Sequence, residues 1–285
     1  MTRGELLSEL AAQLGAPHEA RWIVEEVAPS ASSSTRISEA QVTAAQRLAD
    51  RRAAGEPLQY VLGHWAFRTL DLLVDPRVLI PRPETEQVVE AALAEAATSG
   101  DALTVVDAGT GSGAIALSMA VELTRRGISG AVYATDTSAD ALDVARANGE
   151  RVGSVEPALL PVSWFEGTWL DALPDQLRGA VDLVVSNPPY VAEVEWAGLD
   201  PEVRLEPRGA LVAGAGSEGT AGLADVEAVL SQALRWLGRP GTVVIEMAPH
   251  QVEAARRLAV SLGYVDVAVR ADLSGRDRTL IGHLR

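Results

Sequence analysis

Cysteine is absent from the 285 residues, which excludes disulfides and thiolate metal sites and agrees with a reducing, cytoplasmic setting. Histidine is scarce: the four present are scattered singly, without the spacing of a zinc site, so no metal is expected. Lysine is missing altogether and every one of the 24 basic residues is Arg, which we read as compositional bias alongside the abundance of Ala. No apolar run approaches the ~18–20 residues of a membrane-spanning helix, and Met1-Thr2-Arg3-Gly4-Glu5 lacks the basic-then-apolar order of a signal peptide. The expectation is a soluble protein with no membrane partner. Positive charge is also in short supply, because the net charge is −15. Residues 1–70 hold 7 Arg against 8 Asp plus Glu, so nearly all of the excess acid falls on the remainder. An acidic field opposes phosphate backbones, and no direct nucleic-acid substrate is expected.

The most informative stretch that is present runs from Val181 to Tyr190. Val181-Asp182-Leu183-Val184-Val185 has the apolar, β-branched character of a strand covered on both faces, and Asn187-Pro188-Pro189-Tyr190 ends it abruptly. Asn187 therefore stands at a strand's carboxyl end, the edge where open α/β sheets bind ligands. An Asn oxygen and the Pro188 carbonyl offer two acceptors and no base. That pair suits an –NH2 group, whose two N–H bonds it would grip while the lone pair is aimed at an electrophile. Pro189 stiffens the turn, and Tyr190 would supply an aromatic wall. The plainer alternative is a turn that follows a strand.

Upstream, Gly4 to Leu14 and Pro17 to Val27 carry apolar residues at helical spacing, the Pro29–Ser34 stretch reads as a loop, and Ser38 caps a third helix through Arg52. These make a small helical domain over residues 1–70. Arg47, Arg51 and Arg52 cluster on it, either as a solvated face or as a contact surface. Trp65-Ala66-Phe67 and Leu70 to Asp75 alternate as a connecting hairpin. Pro81 and Pro83 then open a helix to about Ala97, completing a linker over residues 71–98, and Ser99-Gly100-Asp101 breaks the chain before a sheet domain over 99–285.

The strand Leu103 to Asp107 leads into Gly109-Thr110-Gly111-Ser112-Gly113 and then a helix from Ala114. A glycine turn there lets the backbone approach a ligand at a helix N-terminus, but the Gly-x-Gly-x-Gly spacing is not the dinucleotide one. The next strand, Ala131 to Thr135, ends in Asp136, about the ~20 residues past the glycines at which a carboxylate meets a ribose diol; an ordinary turn role before the Ser138 cap is the alternative. The helix after Ser138 is expected through Asn148, and a third strand from Ala158-Leu159-Leu160 and Trp164-Phe165. Trp169 lies where a base would stack, or fills a gap between helix and sheet. Val191 to Ala221, rich in Glu, Gly and Pro, is long enough for a lid or substrate loop. Strand–helix alternation with a terminal strand pair gives an α/β, doubly wound, mostly parallel sheet with an antiparallel edge.

Asp107 to Gly113, Asp136 and Asn187 to Tyr190, in this order, resemble the motifs of class I S-adenosylmethionine-dependent methyltransferases acting on nitrogen. Ile80-Pro81-Arg82-Pro83-Glu84-Thr85-Glu86, Gln59-Tyr60-Val61-Leu62-Gly63 and the helical domain extend the resemblance over essentially the whole chain to the PrmC/HemK family, the release factor glutamine methyltransferases. The resemblance implies a Rossmann-like seven-stranded sheet and S-adenosyl-L-methionine as cofactor, leaving as S-adenosyl-L-homocysteine. Its implied substrate is the Gln side-chain amide in the Gly-Gly-Gln loop of class I peptide-chain release factors, with an exocyclic amine of a nucleic-acid base as the alternative. By the same resemblance Gly109, Thr110, Gly111, Ser112, Gly113, Asp136, Trp169 and Asn187 contact the cofactor, and Asn187, Pro188, Pro189 and Tyr190 hold the substrate. One departure is Thr168, where many members carry Asp before the tryptophan.

Overall fold

The computed structural model describes residues 1–29, 32–97 and 102–285, so Ser30-Ala31 of the serine-rich loop and the expected break at Ser99-Gly100-Asp101 lie outside the described residues. Three helices open the chain: α1 (Arg3–Leu14), α2 (Pro17–Val27) and α3 (Glu39–Ala53). The first and third begin in reciprocal capping boxes, Thr2 with Glu5 and Ser38 with Gln41, each satisfying amides that a helix start leaves bare. Their inner faces bury Leu6, Leu10, Ile23, Val24, Ala45 and Ala49 in a small core of their own, closed by Leu58. Leu58 itself opens a one-turn helix, α4 (Leu58–Leu62). Two members of the arginine cluster are ion-paired: Arg51 with Glu56, and Arg52 with Glu19 and with Glu202 far along the chain.

The hairpin of β1 (His64–Phe67) and β2 (Leu70–Leu73) forms as its alternation requires. Its Phe67, Leu70 and Leu72 pack into the core beneath the main sheet, beside Val88, Leu93 and Met119. Helix α5 (Pro83–Ala96) takes Pro83 at its first turn, where a missing N–H costs nothing.

Among the described residues the main sheet has seven strands: β3 (Leu103–Ala108), β4 (Gly130–Asp136), β5 (Val162–Glu166), β6 (Val181–Ser186), β9 (Leu237–Glu246), β10 (Val265–Ala271) and β11 (Asp277–Leu284). A small parallel pair, β7 (Val191–Ala192) and β8 (Val212–Ala213), stands apart. The sheet order is β10-β11-β9-β6-β3-β4-β5, parallel throughout except that β11 runs antiparallel to both neighbours. Helices α6 (Ala114–Arg125), α7 (Ala139–Val155), α8 (Ala224–Trp236) and α9 (Val252–Ser261) complete the chain, and two apolar cores lie on opposite faces of the sheet. The strand order reverses between β3 and β6, so the crevice outside their carboxyl ends is the ligand position this topology provides.

Two elements differ from expectation. Helix α7 runs seven residues beyond Asn148 to Val155, although Asn148-Gly149 reads as a stop. Asn148 is buried and its side chain is spent on tertiary bonds, accepting from Leu73 N at 2.7 Å and donating to Leu73 O at 3.0 Å and Ser112 O at 2.9 Å. Gly149 is small because a Cβ there would lie 3.2 Å from the Trp164 ring. Strand β5 begins only at Val162; Leu159 and Leu160 pack against the core from a loop, with Leu160 N donating to Thr124 Oγ1.

Candidate active site

The glycine loop leaves β3 through three left-handed glycines, Gly109 (φ 80°), Gly111 (φ 54°) and Gly113 (φ 84°), conformations that cost an L-residue about 1–2 kcal/mol each. Asp107 pins the loop from within. It is fully buried, and its Oδ2 accepts from Thr110 Oγ1 at 2.6 Å and from Ala116 N at 3.0 Å, tying the strand end to the first turn of α6. Burial pushes its carboxyl up to about 7. Asp136 holds the loop from outside: Oδ2 accepts from Gly111 N at 2.8 Å and Oδ1 from Ser138 N at 2.9 Å, while burial raises its pKa as well. A carboxylate has about four acceptor positions, so acceptor capacity remains for a ligand hydroxyl.

These elements wall a cavity of about 490 Å³, within the range of small-molecule sites. Of the residues singled out from sequence, Gly109, Thr110, Gly111, Ser112, Asp136, Trp169, Asn187 and Pro189 are on its wall. Three are not. Gly113 is turned inward, where a Cβ would meet Leu117, Trp164 and Ala145 at 3.2–3.4 Å, so its smallness serves helix packing. Pro188 is buried, and Tyr190 stands behind the wall with its hydroxyl donated to Glu246 Oε1 at 3.2 Å. Trp169 is itself left-handed (φ 49°) and lies across Gly109. Beside it Thr168 lines the cavity in place of a carboxylate.

The segment from Val191 to Ala221, expected as a lid or substrate loop, borders the cavity. Short 3₁₀ turns and the β7–β8 pair give it a fold of its own, and Pro207, Gly209 and Ala210 contribute wall. It is fastened at several points. Glu206, with its side chain 2% exposed, pairs with Arg82 and accepts from Ile80 N at 3.0 Å. Gln251 Nε2 donates to both Tyr190 O and Ala221 O, and Arg52 reaches Glu202 from the helical region.

Sequence reasoning missed Thr85, itself on the wall beside Asn187, and Glu246 behind it. Asn187 Nδ2 donates to Thr85 Oγ1 at 3.1 Å, and Thr85 Oγ1 donates to Glu246 Oε2 at 2.7 Å. Glu246 is fully buried at the end of β9, and burial raises its pKa against the lowering influence of Thr85, Tyr190 and Arg278. A Glu closing a buried strand was a signal available in the sequence. Asp225, also on the wall and pushed up by burial, was missed too.

Loop, carboxylate, aromatic residue and amide around one chamber at the switch point define a class I methyltransferase site, and residues 88–199 match the family model described as methyltransferase small domain. A methyltransferase from Pyrococcus furiosus shares the fold, with a TM-score of 0.51 at 18% identity over 76% of this chain and 90% of that one. Residues 5–63 match the model described as PrmC N-terminal domain. The chain is 39% identical to the release factor glutamine methyltransferase of Moorella thermoacetica over 99% of this chain and 90% of that protein. It is likewise 39% identical to that of Bordetella pertussis, over 98% and 99%. The chain belongs to the release factor glutamine methyltransferase family.

Proposed function

We propose that this chain methylates the side-chain amide nitrogen of the Gln in the Gly-Gly-Gln loop of class I peptide-chain release factors, in the cytoplasm, without acting on nucleic acid. The observation that carries this reading is the sharing of one chamber by the glycine loop, Asp136 and Trp169 with Asn187 and Pro189, so that a cofactor and an acceptor amide meet inside it. S-adenosyl-L-methionine suits these walls: backbone amides at a helix start for its carboxylate end, a carboxylate for its ribose, and an indole face for its purine. When bound it supplies an electrophilic methyl group on a sulfonium.

The chain's own residues do the rest. Asn187 Oδ1 would accept one N–H bond of the substrate amide and, with the backbone carbonyl of Pro188, whose residue is buried off the wall, would turn its lone pair toward the methyl. The amide nitrogen would attack the methyl in line, its N–C bond forming as the sulfur–methyl bond breaks and S-adenosyl-L-homocysteine leaves, and the methylated nitrogen would then lose one proton to water, with no covalent enzyme intermediate. Catalysis is orientation and electrostatic stabilisation, since the two acceptors act hardest as the nitrogen becomes positive. The −15 net charge favours a protein over a nucleic-acid acceptor. Replacing Asn187 by Ala tests the reading: cofactor affinity stays near normal and turnover falls by about 10²–10³, the cost of one preorganised polar partner. Normal turnover would refute it.

A further inference from the structure

Protons along the chain Asn187–Thr85–Glu246–Tyr190 can be counted. Ionised, Glu246 only accepts: it receives Tyr190 O–H on Oε1 and Thr85 O–H on Oε2, two bonds that together with Arg278 oppose the burial that raises its pKa. Thr85 owns one proton and has given it away, so toward Asn187, 3.1 Å off, its oxygen can only accept. Asn187 must then present its –NH2 to Thr85, and its Oδ1 is left for the cavity. For an ionised Glu246 this direction follows from the hydroxyl and carboxylate chemistry, independently of how the two ends of an amide are told apart.

We propose that Thr85 and Glu246 are positioning residues that fix the polarity of Asn187, a one-proton relay that makes its amide an acceptor toward the substrate –NH2. The inference rests on the proposed role of Asn187 as the substrate's acceptor. Glu246 touches nothing in the cavity; it acts through Thr85, 161 residues away in sequence on α5, and braces Tyr190 from the same carboxylate. With Glu246 charged, a second carboxylate at position 187 would find no proton on Thr85. With an amide at 246, the whole relay can reverse: its –NH2 donates to Thr85, and Thr85 donates to the residue at 187.

The test combines three sets of variants, each with cofactor affinity measured by calorimetry and turnover on a release factor. Thr85→Val should lower kcat by ten- to a hundredfold with cofactor affinity unchanged, and Thr85→Ser should restore it. Asn187→Asp should lower kcat by about 10²–10³, and adding Glu246→Gln to Asn187→Asp should recover at least tenfold, a gain that mere structural support by Glu246 would not give. A double variant no more active than Asn187→Asp, or a Thr85→Val enzyme of normal kcat, overturns the inference while Asn187→Ala remains inactive. Full activity of Asn187→Ala would instead remove the reading on which the inference stands.

Discussion

Gly109 and Trp169 are matched in shape: a methyl group placed on Gly109 would lie 2.9 Å from Cζ3 of the Trp169 indole, closer than two carbons approach. Both residues have positive φ, at 80° and 49°, so neither can step aside cheaply. Gly109→Ala should therefore displace the ring and strain the loop together. Cofactor affinity should fall at least tenfold, equivalent to about 1.4 kcal/mol, with little change in far-UV circular dichroism. Unchanged affinity in calorimetry would show that the indole is not part of the cofactor wall.

Asp107 should make stability depend on pH in an unusual direction. Its folded pKa is raised to about 7 from an ordinary 3.8, so the folded chain keeps a proton that the unfolded chain releases. Its contribution is fully present below about pH 4 and is lost as pH rises through about 7. Asp107→Asn mimics the protonated form, keeping an acceptor for Thr110 and Ala116. Relative to the parent, the variant should gain stability between pH 5 and pH 8, by on the order of 1–4 kcal/mol. Urea unfolding at the two pH values measures this, and parallel profiles would contradict it.

Glu206 should be worth more to folding than surface ion pairs are. It is buried, and removing it would strand Ile80 N–H and leave Arg82 without its partner. Glu206→Ala should cost on the order of 3 kcal/mol, whereas Arg257→Ala, at an exposed pair with Glu253, should cost under about 1 kcal/mol. Similar losses in thermal denaturation would mean that the Val191–Ala221 segment is held by other contacts.

What was legible in the sequence was local. Asn187-Pro188-Pro189-Tyr190 announces itself within ten residues because prolines end a strand, and Gly109 and Gly111 because left-handed turns demand glycine. The place of Asp136 on the cavity wall was legible through its spacing from the loop. Thr85 and Glu246 were not, because their meaning lies in a contact across 161 positions that no periodicity encodes. Asn148-Gly149 was misread for the same reason: it is set by tertiary packing, against Leu73 and Trp164, rather than by a helix stop.

The helical region is proposed to recognise the body of the release factor, since a Gln side chain offers too few atoms to select one protein among many. Removing α1 to α3 should then raise KM for intact release factor strongly while changing activity on a short Gly-Gly-Gln peptide little. Equal losses on both substrates would make the helices structural support, with Arg52–Glu202 as their link to the active-site wall.

The central claim is that the acceptor is one glutamine amide of a protein. It is tested most directly by incubating the chain with methyl-labelled S-adenosylmethionine and, separately, a class I release factor, the same factor with its Gly-Gly-Gln glutamine replaced by Ala, and DNA or ribosomal RNA. The account predicts label on the unaltered factor alone, at the side-chain nitrogen of that glutamine. Label on the Ala-substituted factor, or on nucleic acid in place of protein, would contradict it.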